Sequence, residues 1–409
     1  MTLNAFERYD YRMQEWDIEQ IEAVILIAAL VAMLARRLRI PYTVGLLLVG
    51  ISVAFLHLPF SAGLSKDILF KVLLPPLIFE AALYIKWSEL RRDFAVVSVY
   101  ATAGVILSAG VTAAIMHYVA GWQVSTAIIF GMLIAATDPV SVIAMMKEAK
   151  VEGRIRLLIE SESLFNDGTA AVGFALVIAY FTGEGVGVGT SLWLLLSSVF
   201  GGFLVGLAVG WLVLLLIGRT RDHLVELAMT TVAAFGSFWL ADAFHFSGIL
   251  ATTAAGLIIG NWIPRGKVTS KGEDAIGHFW DFAAFVVNAI VFVLIGIDLA
   301  YQDIARSWVP ILIAIIAVLL GRAAAVYPSA AAFSSTTQRI PSAEQHLLFW
   351  GGLRGALALA LALSIPASFP DRHAVITVTF GVVAFSVLVQ GLTFPKLMRI
   401  LKVARKSGE

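Results

Sequence analysis

Two acidic residues, Asp138 and Asp167, lie in stretches of the chain that are otherwise apolar. Asp138 precedes Lys147 by nine residues, and Asp167 follows Arg156 by eleven, on consecutive segments that would run in opposite directions. At a helical rise of ~1.5 Å per residue, the carboxylates are then ~14 and ~16 Å from these charged ends. Neither segment supplies a basic side chain at that depth. Because carboxylates inside a membrane are costly and mark functional sites, we interpret the pair as an ion site and not as a structural feature.

The residues just before Asp167 support this interpretation. Ser163, Asn166 and Asp167 have the i, i+3, i+4 spacing that puts side chains on one face of a helix. A hydroxyl, an amide oxygen and a carboxylate are hard oxygen ligands that suit a weakly held alkali cation. Glu80, in an earlier apolar segment, is either a further ligand or part of the cytoplasmic entrance, and the sequence leaves both open.

Four other charged residues lie inside apolar segments. Glu162 is one helical turn from Asn166, and we expect its partner to be Arg354, in a structural ion pair that joins two spans. Glu160 and Arg322 could pair structurally or lie nearer a water-filled surface, and we assign them no chemistry.

The positions of two chain interruptions indicate how these residues are arranged. Pro139 follows Asp138 in the middle of one apolar segment, and proline suits the first turn of a new helix better than a helix interior. A second segment is interrupted by the run Gly351–Gly355, which contains Arg354. Interrupted helices at matching places in two inverted halves indicate the binding site of a secondary transporter. Asp138 would offset the positive helix ends that converge there, and Arg354 the negative ones.

The composition indicates that these segments lie in a membrane. Hydrophobic residues make up 59% of the 409 residues and charged residues only 14%, against about 25% charged in soluble domains. The sequence therefore predicts an all-α polytopic membrane protein. The absence of cysteine excludes disulfides and thiol catalysis, and a formal charge of +1 gives no indication of nucleic-acid binding.

Apolar stretches of spanning length recur along the chain and predict about thirteen transmembrane helices. Their approximate spans are 21–36, 41–57, 64–85, 94–117, 123–147, 156–181, 190–217, 224–242, 246–263, 279–300, 308–332, 343–366 and 373–398. Basic residues number twenty after the odd-numbered spans and five on the other side, which predicts an extracytoplasmic N-terminus and a cytoplasmic C-terminus. Spans 1–6 and 8–13 would form the two inverted repeats, which makes the interrupted fifth and twelfth spans equivalent; that these two cross is implied only by the family resemblance described next.

Three sequence blocks resemble the signatures of the monovalent cation/proton antiporters, with NhaP/NHE-type sodium/proton exchangers as the most similar group. The blocks are Thr137–Val140, Glu162–Gly168 and Gly351–Ala356, and the resemblance extends over essentially the whole membrane region. It implies a homodimer with elevator-like alternating access. It also implies that Asp167 and Asp138 bind the cation, with Ser163, the Thr137 backbone and Glu80 contributing. Asn166 would support the site, Glu162–Arg354 would be a structural ion pair, and Asn followed by Asp implies electroneutral one-for-one exchange.

The resemblance also implies a division of the chain into domains. These are an extracytoplasmic segment (1–20), a dimerisation domain in two parts (21–93 and 184–304, the second including linker helix 7), a core transport domain in two parts (94–183 and 305–400) and a short tail (401–409). We expect an integral protein of a prokaryotic inner membrane that contacts lipid, transports Na⁺, Li⁺ or K⁺ against H⁺, and uses no cofactor.

Two other functions stay open from the residues alone. A proton-coupled symporter of a small organic anion would use the same repeats, with Arg354 holding the substrate carboxylate. A cation channel is less favoured, because the sequence has no selectivity-filter repeat. An intramembrane hydrolase is weaker still for lack of a nucleophile–base pair, so we expect a transporter rather than an enzyme.

Overall fold

The structure is a computed structural model that describes residues 18–38, 40–56, 65–149, 151–182, 188–266 and 268–403. Its secondary structure in these ranges is helical. The first nine helices are α1 (Ile18–Leu38), α2 (Tyr42–Phe55), α3 (Lys66–Ile68), α4 (Leu74–Tyr84), α5 (Trp87–Val99), α6 (Val105–Tyr118), α7 (Val124–Leu133), α8 (Val140–Glu148) and α9 (Arg154–Phe181). The others are α10 (Val188–Ile217), α11 (His223–Ala243), α12 (Gly248–Trp262), α13 (Ser270–Ala300), α14 (Trp308–Ala332), α15 (Ser342–Trp350), α16 (Ala356–Leu363), α17 (Arg372–Phe385) and α18 (Gly391–Ile400).

Short π-helical turns join several of these helices into longer rods. They are Leu69–Leu73 between α3 and α4, Tyr100–Gly104 between α5 and α6, and Ser386–Gln390 between α17 and α18. Through the last two, the continuous helices Trp87–Tyr118 and Arg372–Ile400 each reach the length of a membrane span.

Seven helices of the described part of the chain are long and apolar enough to cross a membrane. Their surfaces carry outward-facing apolar side chains such as Ile106, Trp193 and Leu204, each more than 60% exposed. Such faces are covered by lipid in a membrane protein. Helices α2, α7 and α12 are apolar but shorter, and so is the apolar stretch Glu22–Ala35 within α1. The count of thirteen spans and their orientation therefore remain predictions, and the segments predicted over residues 1–17 and 404–409 lie outside the described residues.

The helices pack as two groups around the site. In one, α13 packs on α1, α2 and α4, and α12 packs on α4, α10 and α11. In the other, α6 packs on α7 and α14, α9 packs on α5 and α7, and α17 packs on α14 and α16. The groups meet where α9 packs on α4, α10 and α12, and where α16 approaches α3 and the π-helical turn before α4.

A glycine row on α10 allows a close helix approach in the first group. Gly202, Gly206 and Gly210 face α12, and a Cβ at Gly206 would overlap the backbone oxygen of Ala251. This row is therefore a small-residue face on which α12 packs.

Candidate ion-binding site

The first interrupted element consists of α7, an unwound segment at residues 134–139, and α8. The break follows from its sequence, because Pro139 has no N–H group for the helix ladder. Asp138 then caps the new helix: its Oδ1 accepts a hydrogen bond from the Val140 N–H at 2.9 Å. The free backbone N–H groups of α8 and the free carbonyls of α7 thus converge on this segment.

The second interrupted element consists of α15, residues 351–355, and α16. Its unwound segment touches the first one directly, since the Asp138 N–H donates to the Leu353 oxygen at 2.8 Å. Gly355 lies against the Asp138 side chain, and a Cβ at this position would overlap the carboxylate. Both interruptions therefore occur where the sequence predicted them, and glycine is required for their close approach.

Arg354 lies between the two interrupted elements and is 1% exposed. Its Nη1 donates to the carbonyl oxygens of Ala135 and Ala136, each at 3.1 Å. These carbonyls follow the C-terminal end of α7 and would otherwise lack partners. Arg354 thus neutralises the negative end of a half-helix.

The two sequence-predicted carboxylates meet in one cavity of about 50 Å³. Asp138, Asp167 and Thr137 line it together with apolar residues of α4 and the first residues of α16. Within the described part of the chain, the buried Oδ1 of Asp167 has no hydrogen-bond donor. The lining contains no basic side chain among the described residues. An unpartnered carboxylate oxygen beside a second carboxylate is a position where a cation or a proton is stabilised.

Three further predicted residues hold the unwound segment on α9. The Asn166 Nδ2 donates to the Thr137 Oγ1 at 2.7 Å, and the Thr137 N–H donates to the Asn166 Oδ1 at 3.2 Å. Ser163 donates its hydroxyl to the Thr137 carbonyl oxygen. Thr137 lines the cavity, whereas Ser163 and Asn166 are among the buried residues behind it. The structure therefore brings all three together, but it places Ser163 and Asn166 as supports of the site.

The predicted ion pair between Glu162 and Arg354 is wrong, because the structure pairs Glu162 with Arg322 of α14. The Arg322 Nη1 and Nη2 bind the two carboxylate oxygens at 2.7 and 2.8 Å, in a bidentate fork. Arg322 also donates from Nε and Nη2 to the Leu348 carbonyl oxygen, at 3.2 and 2.8 Å. This fork connects α9 to α14 and α15, and Gly352 leaves room for it, since a Cβ there would approach the Arg322 Nε to 2.5 Å.

The pair extends to the cavity through a chain of hydrogen bonds. The Asn166 Nδ2 donates both to the Glu162 Oε1, at 2.9 Å, and to Thr137. Arg322 is thus the residue that sequence reasoning missed, although its charge inside an apolar span marked it. The sequence suggested Glu160 as a partner of Arg322, but Glu160 pairs with Arg156 at 3.0 Å.

Glu80 does not line the cavity, although its neighbours Ile78 and Ala81 do. Its electrostatic neighbours are instead Lys147, Asp281, Glu160 and Arg156. The expectation that Glu80 contributes a ligand therefore finds no support in the geometry. The alternative, a position at the entrance, agrees with this charged surrounding.

The fold and the site define a polytopic membrane protein in which two interrupted helices meet at buried carboxylates, the architecture of secondary transporters. The model of the transmembrane sodium/hydrogen exchanger family matches residues 25–400. The chain therefore belongs to the sodium/hydrogen exchanger family, which is a family of transporters and not of enzymes.

Individual relatives are similar to this chain over most of its length. The low-affinity Na⁺/H⁺ antiporter NhaS1 of Synechocystis sp. is 35% identical over 394 residues, which cover 92% of this chain and 73% of that protein. The Na⁺/H⁺ antiporter NhaH of Halobacillus aidingensis is 32% identical over 398 residues, covering 94% and 98%. The solved structure of the sodium proton antiporter MjNhaP1 from Methanocaldococcus jannaschii matches with a TM-score of 0.74 at 21% identity, covering 96% of this chain and 99% of that chain. The predicted family and all-helical membrane fold are thereby confirmed.

Proposed function

We propose that the protein exchanges Na⁺ for H⁺ across a membrane, with Asp138 and Asp167 as the shared site of both ions. The observation that carries the proposal is the meeting of these two carboxylates in one small cavity at the contact of the unwound segments. Na⁺/H⁺ antiport is also the activity in the names of the relatives NhaS1 and NhaH.

The chemistry of exchange follows from the competition of two cations for the same oxygens. A carboxylate withdrawn from water is stabilised by whichever positive partner neutralises it. A proton on Asp167 removes the charge that attracts Na⁺, and bound Na⁺ removes the charge that attracts a proton. If the neutralised site crosses the membrane more readily than the charged empty one, each Na⁺ moves only in exchange for H⁺.

The cavity also bears on the symporter alternative. At about 50 Å³ it has room for a few waters or a partly hydrated cation, since one water needs roughly 10–15 Å³ of such space. Two carboxylates on its wall repel an organic anion. Arg354, the residue that would hold such an anion, is engaged by the carbonyls of Ala135 and Ala136. These features favour a cation as the substrate.

The finer features belong to the same proposal. The group of α5–α9 and α14–α18 would move as the transport core against the group of α1–α4 and α10–α13, in a homodimer of a prokaryotic inner membrane. Exchange would be electroneutral, as the family resemblance implies for an Asn followed by an Asp, here Asn166 and Asp167. Asn166 is itself neutral and is engaged by Glu162 and Thr137.

The proposal is tested in proteoliposomes that hold a pre-set pH gradient and a pH-sensitive dye. Adding Na⁺ without any organic solute should collapse the gradient, and a series with Li⁺ and K⁺ defines the selectivity. The rate should be the same with the membrane potential clamped or free if one cation exchanges for one proton. Collapse only on addition of an organic anion, or a sustained cation current without proton flux, would contradict the proposal.

Gly355 provides a steric test of the site. In Gly355→Ala, the added methyl group would overlap the Asp138 side chain, so we expect the two unwound segments to separate and Na⁺-driven proton flux to be lost. Gly110→Ala is the matched control, because a Cβ at this helical glycine of α6 has no neighbour within 4 Å among the described residues. Equal flux in the two variants would contradict the assigned geometry.

A further inference from the structure

We infer that a groove between α14, α15 and α18 is a binding site for an anionic phospholipid, a property separate from ion exchange. The groove has a volume of about 360 Å³, and we refer to it as the aromatic groove. Its lining includes Tyr327, Phe349, Trp350, Leu397, Ile400 and Lys396.

The walls of the aromatic groove are apolar and suited to an acyl chain. The ring centroids of Tyr327 and Phe349 are 5.7 Å apart, and those of Phe349 and Trp350 are 6.1 Å apart. The polar atoms of these rings already have protein partners. The Trp350 Nε1 donates to the Thr393 Oγ1 at 2.8 Å, and the Tyr327 hydroxyl lies 2.9 Å from the His346 Nδ1. The rings therefore present hydrocarbon surface rather than hydrogen-bonding groups to an occupant.

Basic side chains stand at the end of the aromatic groove. Lys396 lines it, Arg399 follows three residues later on α18, and Lys402 lies just beyond the end of this helix. Within the described part of the chain, no carboxylate forms an ion pair with any of them. These charges are therefore available to a negative group outside the protein.

The location selects a lipid as the occupant. α18 ends the long apolar helix Arg372–Ile400, so that Lys396 lies one turn inside the helix end. Basic and aromatic residues at such an end lie at the level of lipid headgroups. A lysine here extends its charge toward the headgroups while its methylenes cover apolar surface. An acyl chain would pack between the aromatic rings, and the phosphate of the same lipid would pair with Lys396.

Basic residues near a helix end are also expected from membrane orientation alone. That rule explains the charges, but it gives no reason for an aromatic-walled groove that ends at one of them. The distinguishing property is headgroup selectivity: the groove should prefer an anionic lipid over a zwitterionic lipid with the same acyl chains.

The experiment is photolabelling of the purified full chain in detergent with phosphatidylglycerol that carries a photoreactive diazirine in one acyl chain. We expect labelled peptides from α15 and α18, and competition by dioleoylphosphatidylglycerol but not by dioleoylphosphatidylcholine. Lys396→Gln and Arg399→Gln should each raise the concentration of dioleoylphosphatidylglycerol that halves the labelling by roughly fivefold. This is the size expected for one base near an anionic headgroup.

Two further variants keep the test specific. Ile400→Glu places a negative charge at the rim on a side chain that is 65% exposed, so it should reduce labelling without affecting folding. Lys271→Gln removes an exposed base at the start of α13 and should leave labelling unchanged. Labelling spread evenly over the helices, equal competition by phosphatidylcholine, cross-links between two copies of the chain in place of lipid labelling, or an equal loss in Lys271→Gln would overturn the inference.

Discussion

Replacing Asp167 by asparagine is expected to reduce Na⁺-driven proton flux to that of protein-free liposomes. Asparagine keeps the size and the amide oxygen of the side chain, but it can neither take up a proton nor neutralise a cation. The buried Oδ1 of Asp167 has no donor among the described residues, so the substitution removes the negative charge that a cation or a proton would neutralise there. Asp138→Asn should have the same effect, because this carboxylate lines the same cavity.

The measurement is dye-reported proton flux in proteoliposomes with equal amounts of each variant. Asp242→Asn is the matched control, since this aspartate is exposed on α11, outside the cavity lining, and should exchange at the wild-type rate. Retained exchange in Asp167→Asn or Asp138→Asn would contradict the shared site. A loss in Asp242→Asn would show that the measured effect does not report on the cavity.

Among the substitutions proposed for this protein, Arg322→Met is expected to lower the free energy of unfolding most. Glu162 and Arg322 are 3% and 6% exposed, and the substitution leaves the Glu162 carboxylate buried without its basic partner. Removing one member of such a pair costs about 3–5 kcal/mol in free energy of unfolding. Glu162→Ala should also lower stability or yield, because it leaves the guanidinium uncompensated. Unfolding of the purified variants in detergent, followed by circular dichroism, gives the measurement.

A double-mutant cycle separates the observed pair from the one predicted from the sequence. Glu162→Gln combined with Arg322→Met should destabilise the protein far less than the sum of the single changes, because their energies are coupled. Glu162→Gln combined with Arg354→Met should be closer to additive, since Arg354 binds the carbonyls of Ala135 and Ala136. Stronger coupling to Arg354 than to Arg322 would restore the sequence-based pairing.

A large part of the site could be predicted from the sequence because depth in a membrane is a one-dimensional property. The distances of Asp138 and Asp167 from the nearest charges placed both at one level, and the structure brings them into one cavity. The positions of Pro139 and of the glycines at 351–355 predicted both breaks, since these residues disrupt a helix through their own backbone chemistry. The residue types at each break and the position of each carboxylate along its span were sufficient to predict these features.

The partners of the charged side chains were decided only by the tertiary structure. Arg322 and Arg354 both lie inside apolar spans, so depth could not decide which of them reaches Glu162; the observed fork depends on how α14 lies beside α9. Glu80 shares its helix with cavity residues but does not line the cavity. Ser163 and Asn166 share a helix face with Asp167, yet they bind the Thr137 segment. By itself the sequence determined which residues are charged and where the helices break, and it predicted the position of each residue along its span. The lateral packing and rotation of the helices decided what each residue touches, because these depend on contacts between segments far apart in the chain.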